Sequence, residues 1–194
     1  MTKPIRNLYV AYGSNLHKAG MRSRCPDAVP VGRIMLPHAR LVFRGVADLE
    51  YDPDPNVAVP CGVWEISKRD ERKLDTYEGV KTEMYYKDWG LRLKLQGESR
   101  KALVYRMYST GVYPPSDYYA NVIAKGYEDF GLDKAYLSAA IEASFKNKSP
   151  DRQTRERRAR QRRSDQAALV RRPYTNGEAY GSFVPDDVPD LTGT

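Results

Sequence analysis

The chain has 194 residues, 41% of them hydrophobic and 29% charged, with a formal net charge of +7 at neutral pH. That length and balance predict one globular domain with its own core and exclude collagen-like, coiled-coil and wholly disordered classes. No apolar run approaches the ~20 residues of a membrane span and the N-terminus lacks the apolar stretch of a secretory signal, so the expectation is a cytoplasmic protein without membrane contact.

Residues 8–12, Leu-Tyr-Val-Ala-Tyr, alternate as a strand and run into Gly13-Ser14-Asn15, so a strand should deliver its C-terminal end into a tight loop. That loop is the first candidate site. As an ordinary turn, it would use Gly13 for a positive φ and Asn15 to cap the next helix. A short helix is expected over 17–24, ended by Cys25-Pro26-Asp27, with strands at 31–36 and 39–44 on either side of Pro37. Residues 51–56 read as an irregular connection before a strand at 57–66.

Ser67 with Asp70 forms a capping-box start for a helix in which Leu74 and Tyr77 face inward until Gly79 stops it. Glu78 then sits at the helix C-terminus, where its charge opposes the dipole, so a purely structural reason for it is weak. Asp75 is expected to face solvent, the alternative being that it assists Glu78 electrostatically. Strands follow at 84–95, broken at Trp89-Gly90, and at 102–108. Ser116 caps a helix with Tyr119, Val122, Ile123, Tyr127 and Phe130 on one face, and Asp133 opens another with Leu137, Ile141 and Phe145 inward. Clustered strands indicate an α+β fold, a small mixed β-barrel or strongly curved sheet of about six strands flanked by helices.

Cys25 and Cys61, without CxxC spacing and with only His17 and His38 beside them, read as small buried hydrophobes, and no metal site is expected. The charge is uneven. Residues 146–172 carry 11 basic and 3 acidic side chains, leaving 21 basic and 22 acidic elsewhere. The boundary is therefore placed between a domain at 1–146 and a basic segment with an irregular tail at 147–194. The stretch 152–172 is a solvated helix or disordered arm on the plain reading, and a patch for nucleic acid or an acidic partner on the functional one.

Three motifs occur in register: Ala11-Tyr12-Gly13-Ser14-Asn15-Leu16 after a strand, Leu74-Asp75-x-x-Glu78-Gly79-Val80 leading to Met84-Tyr85, and Pro114-Pro115-Ser116-x-x-Tyr119 leading to Gly131-Leu132. Together they resemble the γ-glutamylcyclotransferases, the AIG2-like group that includes plant avirulence-induced proteins, over roughly residues 7–140. The resemblance implies a small mixed β-barrel flanked by helices, needing no metal or organic cofactor. It also implies conversion of a small-molecule γ-glutamyl substrate to 5-oxoproline with release of the free amine. Glu78 matches the catalytic glutamate. Substrate contact falls on Tyr9, Val10, Ala11, Tyr12, Gly13, Ser14 and Asn15, with Tyr85, Tyr105 and Tyr119 as pocket residues. The chemistry needs no protein nucleophile, because the substrate's own α-amino nitrogen attacks its γ-carbonyl, but it does need a proton handler. The competing reading is a non-catalytic binding protein that uses 152–172 for nucleic acid or an acidic partner.

Overall fold

The computed structural model describes residues 6–95 and 97–149; the arginine-rich stretch and the tail from 150 onward, with the partner reading placed on them, lie outside these residues. Strand β1 (Asn7–Ala11) is the centre of the sheet, antiparallel to β5 (Ala58–Ile66) and parallel to β7 (Glu98–Met107). Antiparallel partners β2 (Val29–Pro37) and β6 (Tyr85–Leu95) add the outer strands, giving the order β2-β5-β1-β7-β6. A separate hairpin pairs β3 (Ala39–Phe43) with β4 (Ala47–Tyr51). Of the two expected alternatives, a small β-barrel or a curved sheet, the closed barrel is not formed: among the described residues the main sheet ends at β2 and β6, which do not pair. Among the described residues the strands number seven rather than about six, because β4 occupies a polar stretch, Ala-Asp-Leu-Glu-Tyr, whose inward Asp48 hides the strand pattern.

Among the described residues four α-helices cover the strands: α1 (Lys18–Arg24), α2 (Lys68–Tyr77), α3 (Asp117–Asp129) and α4 (Lys134–Lys146). The Ser67–Asp70 capping box opens α2 as expected, Ser116 and Asp133 cap α3 and α4, and β6 carries an irregularity between Asp88 and Leu91 where Trp89-Gly90 interrupts the strand. Two inward assignments fail. Tyr77 is 48% exposed and Phe145 63% exposed, since each lies at the end of its helix, past the part that rests on the core. Among the described residues no helix is long and apolar enough to cross a membrane.

The core joins Trp64, Leu16, Ile123, Tyr127 and Phe130, with the Trp64 and Phe130 rings edge to face at 5.4 Å. Glycine is needed at 62 because a Cβ there would come within 2.8 Å of the Phe130 ring and 2.9 Å of Leu16. A buried ion pair, Arg44 Nε to Asp48 at 2.7 Å, fixes the hairpin, and the Met107 amide donates to Asp48 at 2.9 Å. These contacts hold Ala47, the first residue of β4, against the end of β7.

Candidate active site

Strand directions bring the site together. The C-terminal ends of parallel β1 and β7 and the N-terminal end of antiparallel β6 lie at one end of the sheet, so the Tyr12–Asn15 loop, Tyr105 and Tyr85 converge there. A crevice outside the carboxyl ends of parallel neighbours is where open sheets commonly bind ligands. The resulting cleft, of about 270 Å³ including space open to solvent, is lined by Tyr9, Tyr12, Gly13, Ser14, Asn15, Ala47, Glu78, Tyr85, Tyr105 and Tyr119. Val10 and Ala11 are buried in the core and do not line it.

Glu78 reaches the cleft because α2 stops there. Its amide donates to Leu74 O at 2.8 Å as the C-cap, and Gly79 turns the chain away at φ 64°. Asn15 Nδ2 donates to Glu78 Oε1 at 2.7 Å and to the Tyr9 hydroxyl at 2.9 Å, so Asn15 is no helix cap; its side chain crosses the cleft. Burial pushes the Glu78 carboxyl up to about 7, against the lowering effects of the Asn15 hydrogen bond and the Arg24 charge. A carboxyl at that value both takes and returns protons near neutrality.

The surrounding phenols are held neutral. Burial pushes Tyr9, Tyr12, Tyr85 and Tyr105 well above the ordinary tyrosine value and Tyr119 up to about 12. Most of their protons are already donated, Tyr12 to Tyr105 O at 2.6 Å, Tyr85 to Ala47 O at 2.7 Å, and Tyr105 to Asp75 Oδ1 at 2.7 Å. Tyr119 accepts from the Ala47 amide at 3.2 Å and shares a hydrogen bond with Ser14. Tyr9 accepts from Asn15, which leaves its O–H to donate.

Two local expectations are corrected. Asp75 does not simply face solvent: it accepts from Tyr105 and pairs with Lys87 at 3.1 Å, because β6 and β7 run directly beneath α2. Gly13 has φ −119°, so the loop needs glycine for space: a Cβ there would stand 3.1 Å from Ala47 Cβ and 3.3 Å from the Tyr119 oxygen. Sequence reasoning missed Ala47, Tyr77 and Arg24. Ser14 Oγ lies 3.3 Å from the Tyr77 hydroxyl at the rim, and the Arg24 guanidinium lies 4.0 Å from the centre of the Tyr77 ring. A basic residue in the last turn of α1 reads as an ordinary complement to the helix dipole, so the sequence carries no signal for its reach to Asn15.

Cys25 and Cys61 are buried and free, with thiols raised by burial, Cys25 to about 11, so neither is an activated thiolate. Among the described residues no group of three or more His, Cys, Asp or Glu side chains is placed to hold a metal ion.

Residues 58–139 match the model of the AIG2-like family. A γ-glutamylcyclotransferase of Mus musculus is 31% identical over 163 residues, covering 74% of this chain and 84% of that protein. One of Homo sapiens is 30% identical over 145 residues, 66% of this chain and 74% of that protein. A solved structure described as a γ-glutamyl cyclotransferase superposes with a TM-score of 0.59 at 26% identity, covering 76% of this chain and 90% of that one.

Proposed function

The chain belongs to the γ-glutamylcyclotransferase family, and from that premise we propose that it cyclises a γ-glutamyl amide to 5-oxoproline, with Glu78 as general acid and base. The observation that carries this reading is the placement of Glu78: a partly buried carboxyl, raised to about 7 and gripped by Asn15, in a cleft otherwise lined by neutral side chains.

The proposed sequence of events balances without any protein nucleophile. The substrate's α-ammonium gives a proton to Glu78, and the freed amine attacks the γ-carbonyl carbon to close a five-membered ring. Charge develops on the former carbonyl oxygen, where the Tyr9 O–H and the loop amides of Ser14 and Asn15 are the donors assigned to it and to the substrate carboxylate. Glu78, protonated by the first step, delivers that proton to the departing nitrogen as the γ-C–N bond breaks and then takes up the proton the ring nitrogen sheds, which it passes to the released amine to restore the carboxylate. Holding amine and carbonyl in attack geometry is the cleft's main contribution to rate, since pre-paid positioning alone is worth orders of magnitude.

Incubation with a panel of γ-glutamyl amino acids and γ-glutamyl amines, with 5-oxoproline measured directly, tests the reading and identifies the leaving group together. Turnover of at least one member is expected; a folded chain that releases 5-oxoproline from none overturns it.

A further inference from the structure

Arg24 stands beside the cleft without lining it. Its Nη1 donates to Asn15 Oδ1 at 2.6 Å, and the guanidinium lies over the Tyr77 ring, 4.0 Å from its centre. The other end of the same amide donates to Glu78 and Tyr9. A primary amide can turn over, exchanging its donor and acceptor ends, and turned over it would present its carbonyl oxygen to the Glu78 carboxylate. A guanidinium only donates, so it bonds the oxygen end alone. Its flat fork also stacks on an aromatic face, which a lysine ammonium does not reproduce.

Resting on the assignment of Glu78 as acid and base, we propose that Arg24 is a positioning residue that acts through Asn15, locking its amide nitrogen toward the Glu78 carboxylate and so holding the ionised form of Glu78 in the cleft. The other ionisable groups that face Glu78 do not substitute for it. Tyr9 and Tyr12 from β1 and its loop, Tyr85 from β6, Tyr105 from β7 and Tyr119 from α3 are neutral phenols. Asp48 is tied to Arg44, and Asp75 to Lys87. Among the described residues Arg24 is the cation whose charge favours the Glu78 carboxylate. Losing it removes that charge and frees the Asn15 amide to turn, and both changes make Glu78 harder to ionise.

The test is the titration of Glu78 itself, followed by the side-chain carboxyl carbon resonance in protein labelled with ¹³C-glutamate and assigned by its absence from Glu78→Gln. In Arg24→Gln the midpoint should rise by about 1 pH unit, as loss of a nearby opposite charge predicts. Arg24→Lys, keeping charge without the fork, should fall between the two. Tyr77→Leu, which removes the ring beneath the guanidinium at a half-exposed position, should move the midpoint the same way by less. The acid limb of kcat/KM should shift in parallel, while KM stays near the parent value because Arg24 does not line the cleft. If Arg24→Gln fails to fold, Arg24→Lys and Tyr77→Leu carry the decision. A Glu78 midpoint unmoved in the folded variants overturns the proposal and leaves Arg24 a helix-end charge. The resonance needs no turnover, so this result stands apart from the substrate panel, whose failure would sink the cyclisation reading alone.

Discussion

Glu78 and Tyr9, 69 positions apart in the chain, are joined through a single amide: Asn15 donates to the carboxylate at 2.7 Å and to the phenol at 2.9 Å. The proton handler and a cleft phenol that keeps its proton to give are thereby held in fixed relation. Neither strand pairing nor helix packing alone would do this, because Glu78 belongs to the end of α2 and Tyr9 to β1.

Glu78→Gln should fold and fail to turn over. The glutamine oxygen still accepts from Asn15, so the cleft keeps its hydrogen bond, but no proton can be taken from the substrate amine. General acid–base catalysis is worth about 10²–10⁴-fold, so kcat should fall at least roughly 100-fold with a modest change in KM. Steady-state kinetics on a variant checked by circular dichroism decides it, and a near-parent kcat would remove Glu78 from the mechanism.

The same substitution should change how stability depends on pH. Glu78 titrates near 4.5 in the unfolded chain and near 7 in the folded one, so the native state binds its proton more tightly. The stability contributed by the neutral carboxyl is fully present below about 4.5 and is lost as pH rises through about 7. A shift of that size is worth at most about 3 kcal/mol. Glu78→Gln lacks this dependence, so its Tm should exceed the parent's at pH 8 and meet it at pH 4.5. Parallel Tm profiles across that range would mean that the carboxyl is not raised.

Much of this site was legible in the sequence because its parts are local. The strand into Gly13-Ser14-Asn15 and the capped helix ending at Glu78-Gly79 each announce themselves by spacing and turn chemistry, and the motif order ties them together. What was not legible is long-range. Asp75 has the spacing of a solvent-facing helix residue, and only the passage of β6 and β7 beneath α2 gives it Tyr105 and Lys87 as partners. Barrel closure depends on whether β2 meets β6, which no local pattern encodes. Strand β4 was hidden because its buried Asp48 is neutralised by Arg44, a pairing that breaks the alternation of apolar and polar residues on which strand reading depends.

Tyr9→Phe should separate donation from structure. The ring keeps its edge-to-face contact with Tyr105, at 5.7 Å between centres, and Asn15 keeps Glu78 and Arg24, so stability should fall by only about 1 kcal/mol for the lost hydrogen bond. If the phenol donates to the developing oxyanion, kcat should fall by about 10²-fold, the usual cost of one such donor. A loss confined to KM would place Tyr9 in ground-state binding and leave the oxyanion to the loop amides.

Two glycines near the loop should respond in opposite ways to alanine. At Gly13 φ is −119°, outside the left-handed region, and the new methyl group would stand 3.1 Å from Ala47 Cβ and 3.3 Å from the Tyr119 oxygen. Those neighbours need yield only a few tenths of an ångström, so Gly13→Ala should fold with a Tm near the parent and lose substrate affinity as the cleft narrows, read as a raised KM. At Gly126, inside α3, a Cβ would lie 2.4 Å from Leu16 Cβ and 2.7 Å from the His17 amide nitrogen. Backbone cannot step aside as a side-chain tip can, so either α3 lifts or the Ser14–Leu16 turn is pushed. Overpacking of this kind costs about 1–3 kcal/mol, and the displaced turn carries Ser14 and Asn15 with it. Gly126→Ala should therefore lower Tm and kcat together, although it touches no residue of the cleft. An unchanged Tm would show that α3 does not bear on the turn as closely as 2.4 Å implies, and that Asn15 is placed by its own hydrogen bonds alone.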